Sequence, residues 1–174
     1  MLEDFFKIII NLKNVQRKGW MYKLDVKNPE SVADHCYSMT LMAMILSELH
    51  KLDTKKIVKM TLLHDLVESV VGDFTPEEIS KPKKLELENT AMEKILNILP
   101  ENLIEGYQKI WNEFQLGNSD EAIFVHEMDK LEMVFQAKHY VDRGVSKEKI
   151  QPFLDTANTE IKNKHLKEII SNLF

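Results

Sequence analysis

The sequence predicts an all-α protein of one domain, and three observations carry that prediction. Apolar residues recur at spacings of three and four through segments 2–14, 30–51, 54–69, 84–99, 101–116, 119–143 and 147–163, the period of one helix face. Alternating apolar and polar runs, the mark of half-buried strands, are hard to find. The residues between the periodic segments are those of helix ends rather than hairpins. At 174 residues the chain can bury a core without disulfides, and no repeat, low-complexity tract or linker divides it.

Taken in order, the start "MLEDFFKIIINLKNV" reads as an amphipathic helix. Its acids stand where a signal peptide would be basic, and Lys7 interrupts a run too short to cross a bilayer. The stretch 15–28, "VQRKGWMYKLDVKN", mixes Gly, β-branched and basic residues without a helical period and is expected to be a loop or short ordered crossing. Asn28-Pro29 reads as an N-cap with Pro at the first helical position, opening a long helix with a core stripe of Val32, Met39, Met42, Ala43 and Leu46. In the segment 54–69 and just beyond it, Leu62, Leu63, Leu66, Val67 and Val70 occupy most of the helix circumference, which predicts a central position. Thr75-Pro76 with Glu78 is a capping-box signature for the next helix. Gly117 and Gly144 follow periodic segments where a left-handed residue would end a helix. From about 146 to 174, Phe153, Leu154, Ile161, Leu166, Ile169, Ile170 and Leu173 make amphipathic helices. They are expected to close the bundle or pair with another subunit, and they carry no evident chemistry.

Composition narrows the function. Lys and Arg number 23 against 28 Asp and Glu, a net charge of −5, so the electrostatic footprint of a protein that grips long nucleic acid is missing. An anionic ligand would have to be held by local positive charge. The single Cys36 can form no internal disulfide and reads as a small core residue, and the expected compartment is the cytoplasm. No membrane segment is expected.

The chemistry lies in "LLHDLVESVVGDFTPEEI", residues 62–79. His64, Asp65 and Glu68 interrupt an apolar helix, where they are costly unless compensated; His64 and Glu68, four residues apart, share a face. His35 stands near the start of the long helix, beside its core stripe. Asp129, in "FVHEMDKLEMVFQA", sits mid-helix among Phe124, Val125, Met128, Val134 and Phe135, where an Asp gains nothing from capping. Two imidazoles and two carboxylates from three helices form the inventory of a metal site. His50, His139 and His165 show no such constellation, and Met39, Met42, Met44, Met128 and Met133 read as core filling.

These residues resemble the HD-domain phosphohydrolase superfamily, in which His, then His-Asp, then Asp on successive helices bind one divalent metal. "RKGW" (17–20), "PESVADH" (29–35), "LLHDLVE" (62–68), "VGDFTP" (71–76) and "MDKLEM" (128–133) are together similar to the small branch related to bacterial 5′-deoxynucleotidase and the HD-domain-containing protein 2 family. The resemblance covers at least residues 10–140 and implies an HD-type helical bundle with a metal-site core over about 30–140. It assigns the metal to His35, His64, Asp65 and Asp129.

Mixed imidazole and carboxylate ligation suits Mn²⁺, Co²⁺, Zn²⁺ or Fe²⁺, with Mg²⁺ also open. Two carboxylates neutralise a divalent ion, so its water is acidified less than at a three-histidine zinc site and a separate base is needed. Glu68 is that base, on position and by the resemblance, or else a residue that orients a ligand. Arg17, beside Lys18, is the expected phosphate clamp. Trp20 offers the sugar or base a flat surface, and in the family an Arg and a Trp in this region line the nucleotide pocket, the Trp helping to exclude the 2′-hydroxyl. The bacterial branch has the two adjacent, whereas Lys18-Gly19 separates them here. Asp73, after the turn at Gly72, is assigned by the resemblance to the sugar or the attacking water, or is a turn residue. His126 could add a ligand, a donor or a charge near the phosphate; Lys130 reads as solvated.

The expected function is a metal-dependent 5′-nucleotidase acting on deoxyribonucleoside 5′-monophosphates, in a homodimer. The alternatives are another HD phosphohydrolase, for nucleoside triphosphates, cyclic or modified nucleotides, or a non-catalytic nucleotide sensor using the same metal pocket.

Overall fold

The computed structural model describes residues 2–174. The helices are α1 (Leu2–Asn11), continued by a 3₁₀ turn (Leu12–Asn14), α2 (Lys18–Leu24), α3 (Val32–Leu49), α4 (Thr54–Leu63), α5 (Glu68–Val71), α6 (Lys81–Leu96), α7 (Glu101–Leu116), α8 (Asp120–Asp142), α9 (Lys147–Glu160) and α10 (Lys164–Ser171). Among the described residues, extended pairing is limited to one bridge between Gln16 and Ser31. None of these helices is long and apolar enough to cross a membrane.

α3 packs along α4 and α8, and α9 along α8. Met39, Ala43, Ile57, Met60, Met128 and Val134 are fully buried between them, and Ile150, Phe153, Ile161, Leu166 and Ile170 bring α9 and α10 onto the same core. A second cluster joins Leu63, Leu66 and Val67 to Ala91, Met92, Ile95 and Leu96 of α6 and Trp111 of α7. The His64-Asp65 segment therefore lies where the two clusters meet.

Several local expectations change. The stretch 15–28 is not only a crossing, because it contains α2. This helix has 7 residues, too few for a periodic signal, and is held by burial of Trp20 and Leu24 rather than by propensity. The N-cap of α3 is Ser31, whose side chain accepts from Asp34 N–H while the Asp34 carboxylate accepts from Ser31 N–H; Asn28-Pro29 lies upstream as connecting chain. This reciprocal cap fixes the first turn of α3, and His35 follows it directly. Thr75-Pro76 opens only a turn. Thr75 N–H donates to Glu78 at 2.9 Å, half of the predicted box, but α6 begins at Lys81. Gly117 does end α7 in the left-handed region, φ 61°.

The segment 54–69 is not one regular helix. His64 N–H still bonds to the Met60 carbonyl at 2.9 Å, but Leu66 bonds to Leu63 at 3.1 Å and Glu68 to Asp65 at 3.0 Å, the tighter three-residue spacing of a 3₁₀ turn. Nor is it buried all round, since Leu62 and Val70 are 51% and 54% exposed.

Candidate metal centre and its cavity

His35 on α3, His64 and Asp65 at the end of α4, and Asp129 on α8 converge. His35 Nε2 is 3.2 Å from Asp129 Oδ1 and 3.8 Å from Asp65 Oδ2, and His64 Nε2 is 3.2 Å from the same Asp65 oxygen. Ligand atoms of His35, His64 and Asp129 all lie within 4.8 Å of one another.

Both rings are fixed from behind. His64 Nδ1 is 2.7 Å from the Thr61 carbonyl; a carbonyl only accepts, so Nδ1 carries the hydrogen and the neutral ring offers its lone pair at Nε2. His35 Nδ1 is 2.6 Å from Glu132 Oε2, both groups being buried. Among the described residues, the buried side-chain nitrogen and oxygen atoms without a hydrogen-bond partner are His35 Nε2, His64 Nε2 and Glu68 Oε2. Buried polar atoms are seldom left unpartnered. Two orphaned imidazole nitrogens facing two carboxylates form a donor set that fits a divalent cation.

The electrostatics agree. Burial would raise Asp65 and Asp129, but His64, His35 and Arg17 hold Asp65, and Lys130, His35 and Arg17 hold Asp129, well below the usual carboxylate range. Burial and Arg17 oppose a charged His35, yet the neighbouring Asp129 and Glu132 carboxylates raise it to about 9. The surroundings of His35 thus favour positive charge, as a cation site does. Burial, with Asp65 and Asp73 nearby, pushes Glu68 well up, and Lys84 and Arg17 partly offset this.

The site opens into a cavity of about 270 Å³ lined by Arg17, Trp20, Asp65, Glu68, Asp73, Phe74, Lys84, Asp129, Lys130, Met133 and Phe153, among others. Arg17 is the N-cap of α2, directly after the Gln16–Ser31 bridge. Its N–H donates to the Glu30 carbonyl at 3.1 Å and its guanidinium to Asp65 at 3.4 Å. Trp20 lines the cavity but is only 2% exposed; its indole N–H donates to Glu30 at 2.8 Å and its ring lies 4.5 Å from Phe153 and 5.3 Å from Tyr140. It is a wall anchored in the core. Gly72, at φ 83°, turns the chain so that Asp73 accepts from Lys18 N–H at 2.7 Å, tying the loop to the first turn of α2.

Some residues stand elsewhere than the sequence suggested. His126 stacks on Phe114 at 4.3 Å and bonds to its carbonyl at 3.0 Å, so it supplies neither a ligand nor a charge to the cavity. Lys130 is not merely solvated: it lines the cavity and donates to Asp129 at 2.8 Å. His50 and His165, given no constellation, meet at 3.2 Å on the surface. Cys36 Sγ lies near His64 and Asp65, but burial pushes its thiol well above its usual range.

The HD domain family profile matches residues 9–170. The chain belongs to the HD domain family. Human 5′-deoxynucleotidase HDDC2 is 35% identical over 173 residues, covering 99% of this chain and 84% of its own. The crystal structure of PH0347 protein from Pyrococcus horikoshii matches with a TM-score of 0.83 at 26% identity, over 99% of this chain and 98% of that one. A conserved hypothetical protein from Pyrococcus furiosus matches at 0.76 and 30% identity, over 98% and 97%. HD domains are metal-dependent, and the His/Asp cluster above is where this chain can hold the ion.

Sequence reasoning missed Glu132, Glu30, Lys84 and Phe153. Glu132 carried a usable signal, since it lies three residues after Asp129 and so on the same side of α8. Lys84 and Phe153 carried none, because only the fold brings α6 and α9 to the cavity.

Proposed function

We propose that this protein is a metal-dependent 5′-deoxynucleotidase, releasing phosphate from deoxyribonucleoside 5′-monophosphates. The observation that carries the reading is a set of three orphaned buried atoms, His35 Nε2, His64 Nε2 and Glu68 Oε2, the two imidazoles facing Asp129 and Asp65 and Glu68 lining the same cavity as those aspartates. The name of the human relative, 5′-deoxynucleotidase HDDC2, supplies the substrate class. The cavity volume, about 270 Å³, falls just below the usual range of ligand pockets, about 300–1,000 Å³, which favours a monophosphate over a triphosphate.

His35, His64, Asp65 and Asp129 are the proposed ligands. A divalent ion held there would polarise the phosphoryl group and acidify water; Mn²⁺ and Co²⁺ suit the mixed nitrogen and oxygen donors. Arg17 steadies the phosphoryl oxygens, with its guanidinium already placed beside Asp65. Glu68, buried and poised to hold a proton, removes one from the attacking water and returns it to the departing 5′-oxygen. Trp20 and Phe153 form the wall against which sugar and base pack, and Asp73 keeps Arg17 and Trp20 in register through Lys18. The sensor alternative gives Glu68 no task.

We also propose a homodimer. Tyr37, Leu41, Ile45 and Leu49 form an exposed row along α3, one i+4 ridge suited to a second helix. The single buried cysteine fits a reducing cytoplasm. Titrating metal-stripped protein with Co²⁺ and following its visible absorption tests the site: one ion per chain is expected, with the band lost in His64→Ala. A Co²⁺ band unchanged by that substitution would reject these ligands.

A further inference from the structure

The cations lining the cavity are not equally committed. Arg17 hydrogen-bonds Asp65 at 3.4 Å and Lys130 bonds Asp129 at 2.8 Å. Lys23 lies over the Phe153 ring and 3.6 Å from Glu77. Lys84, in the first turn of α6, stands beside Glu68. It faces Glu68 Oε1 at 3.7 Å and Glu88 Oε1 at 3.5 Å, two long ion pairs comparable to those of Arg17 and Lys23 and longer than that of Lys130. Its side chain is 33% exposed and lines the cavity. A charged ammonium on a flexible four-carbon stem, beside the proposed proton carrier and without a short partner, is free to take another anion.

We propose that Lys84 is a second phosphate-binding residue, donating to the substrate's phosphoryl oxygens from the α6 side of the cavity while Arg17 approaches from α2. The inference rests on the phosphohydrolase reading of the site and adds a residue to it. The phosphate monoester brings about two negative charges to a cavity that already holds Asp65, Glu68, Asp73 and Asp129. Arg17 and Lys130 offset Asp65 and Asp129; Lys84 supplies charge to the incoming group. Its location beside Glu68 also keeps that carboxylate turned toward the phosphate, where its proton is needed.

The test is binding of inorganic phosphate to the metal-loaded protein, by calorimetry, for wild type, Lys84→Gln, Lys84→Arg, Glu88→Gln and the exposed neighbour Lys83→Gln. Lys84→Gln should weaken phosphate by about tenfold or more, Lys84→Arg should restore most of the affinity, and Lys83→Gln should leave it unchanged. Glu88→Gln breaks the same ion pair without removing the ammonium, so it should bind phosphate as well as wild type or better. Unchanged phosphate affinity in Lys84→Gln, or equal losses in Lys84→Gln and Glu88→Gln, would make Lys84 a structural partner of Glu88 and overturn the proposal. Should wild type bind phosphate yet hydrolyse no monophosphate, the nucleotidase reading fails while the ratio between variants still decides Lys84.

Discussion

The floor of the cavity is Asp65, Glu68 and Asp129, with His35 of α3 and His64 at the end of α4 facing the two aspartates, whereas its rim is assembled from α2, the loop at 72–80, the start of α6 and Phe153 of α9. The floor residues project from helices whose other faces form the core, and each histidine is held by a buried partner, Glu132 or the Thr61 carbonyl. The rim is joined by side-chain contacts between separate segments, such as Asp73 and Glu78 to Lys18 and Trp20 to Glu30. A floor built into the core would fix the position of the proposed metal, and a rim made of separate segments would leave room to adapt to the substrate. Substitutions in the two regions should therefore differ in kind, floor changes acting on metal and turnover, rim changes on substrate affinity.

The largest effect is expected at the floor. Asp129→Ala should lose the metal and reduce phosphate release below detection, as read by metal analysis after dialysis and a phosphate assay. It also removes the nearer carboxylate from Lys130 and the one facing His35 Nε2, so circular dichroism must accompany the assay. Next, Glu68→Gln should keep the metal and lower kcat by about 10²–10⁴-fold; retained turnover would remove Glu68 from proton transfer. Glu132→Gln should weaken metal binding by about 10–100-fold, measured by competition with a chelating dye, because the amide cannot hold His35 as a carboxylate does. Smallest, and on the rim, Phe153→Ala should raise KM several-fold with kcat little changed, at a stability cost of about 3 kcal/mol.

pH acts on the floor through His35. In the metal-free protein His35 is raised from 6.5 to about 9, so the stability it contributes is fully present below 6.5 and is lost as pH rises through 9. Metal must displace that proton, so affinity should climb with pH, by up to about tenfold per unit, until about 9. Melting temperatures of stripped protein and metal titrations at three pH values should move in opposite directions. Parallel trends would contradict the proposed role of His35.

The same division explains what the sequence made legible. Polar residues that break an apolar period are visible in the chain, so His35, His64, Asp65 and Asp129 stood out before any fold was known. Their convergence needed only that the three helices pack together. Rim residues obey no period. α2 owes its existence to Trp20 and Leu24 finding the core, and Lys84 reaches Glu68 across 16 positions of sequence. The 3₁₀ turn after Leu63 was hidden as well, because an apolar run looks the same whether its hydrogen bonds span three residues or four.

The most direct test of the central claim is phosphate release from matched deoxy- and ribonucleoside 5′-monophosphates by stripped protein reloaded with Mn²⁺ or Co²⁺. The account predicts metal-dependent release, faster from the deoxy substrate and abolished in Asp129→Ala. Release without metal, or none from any monophosphate by the fully loaded protein, would contradict it.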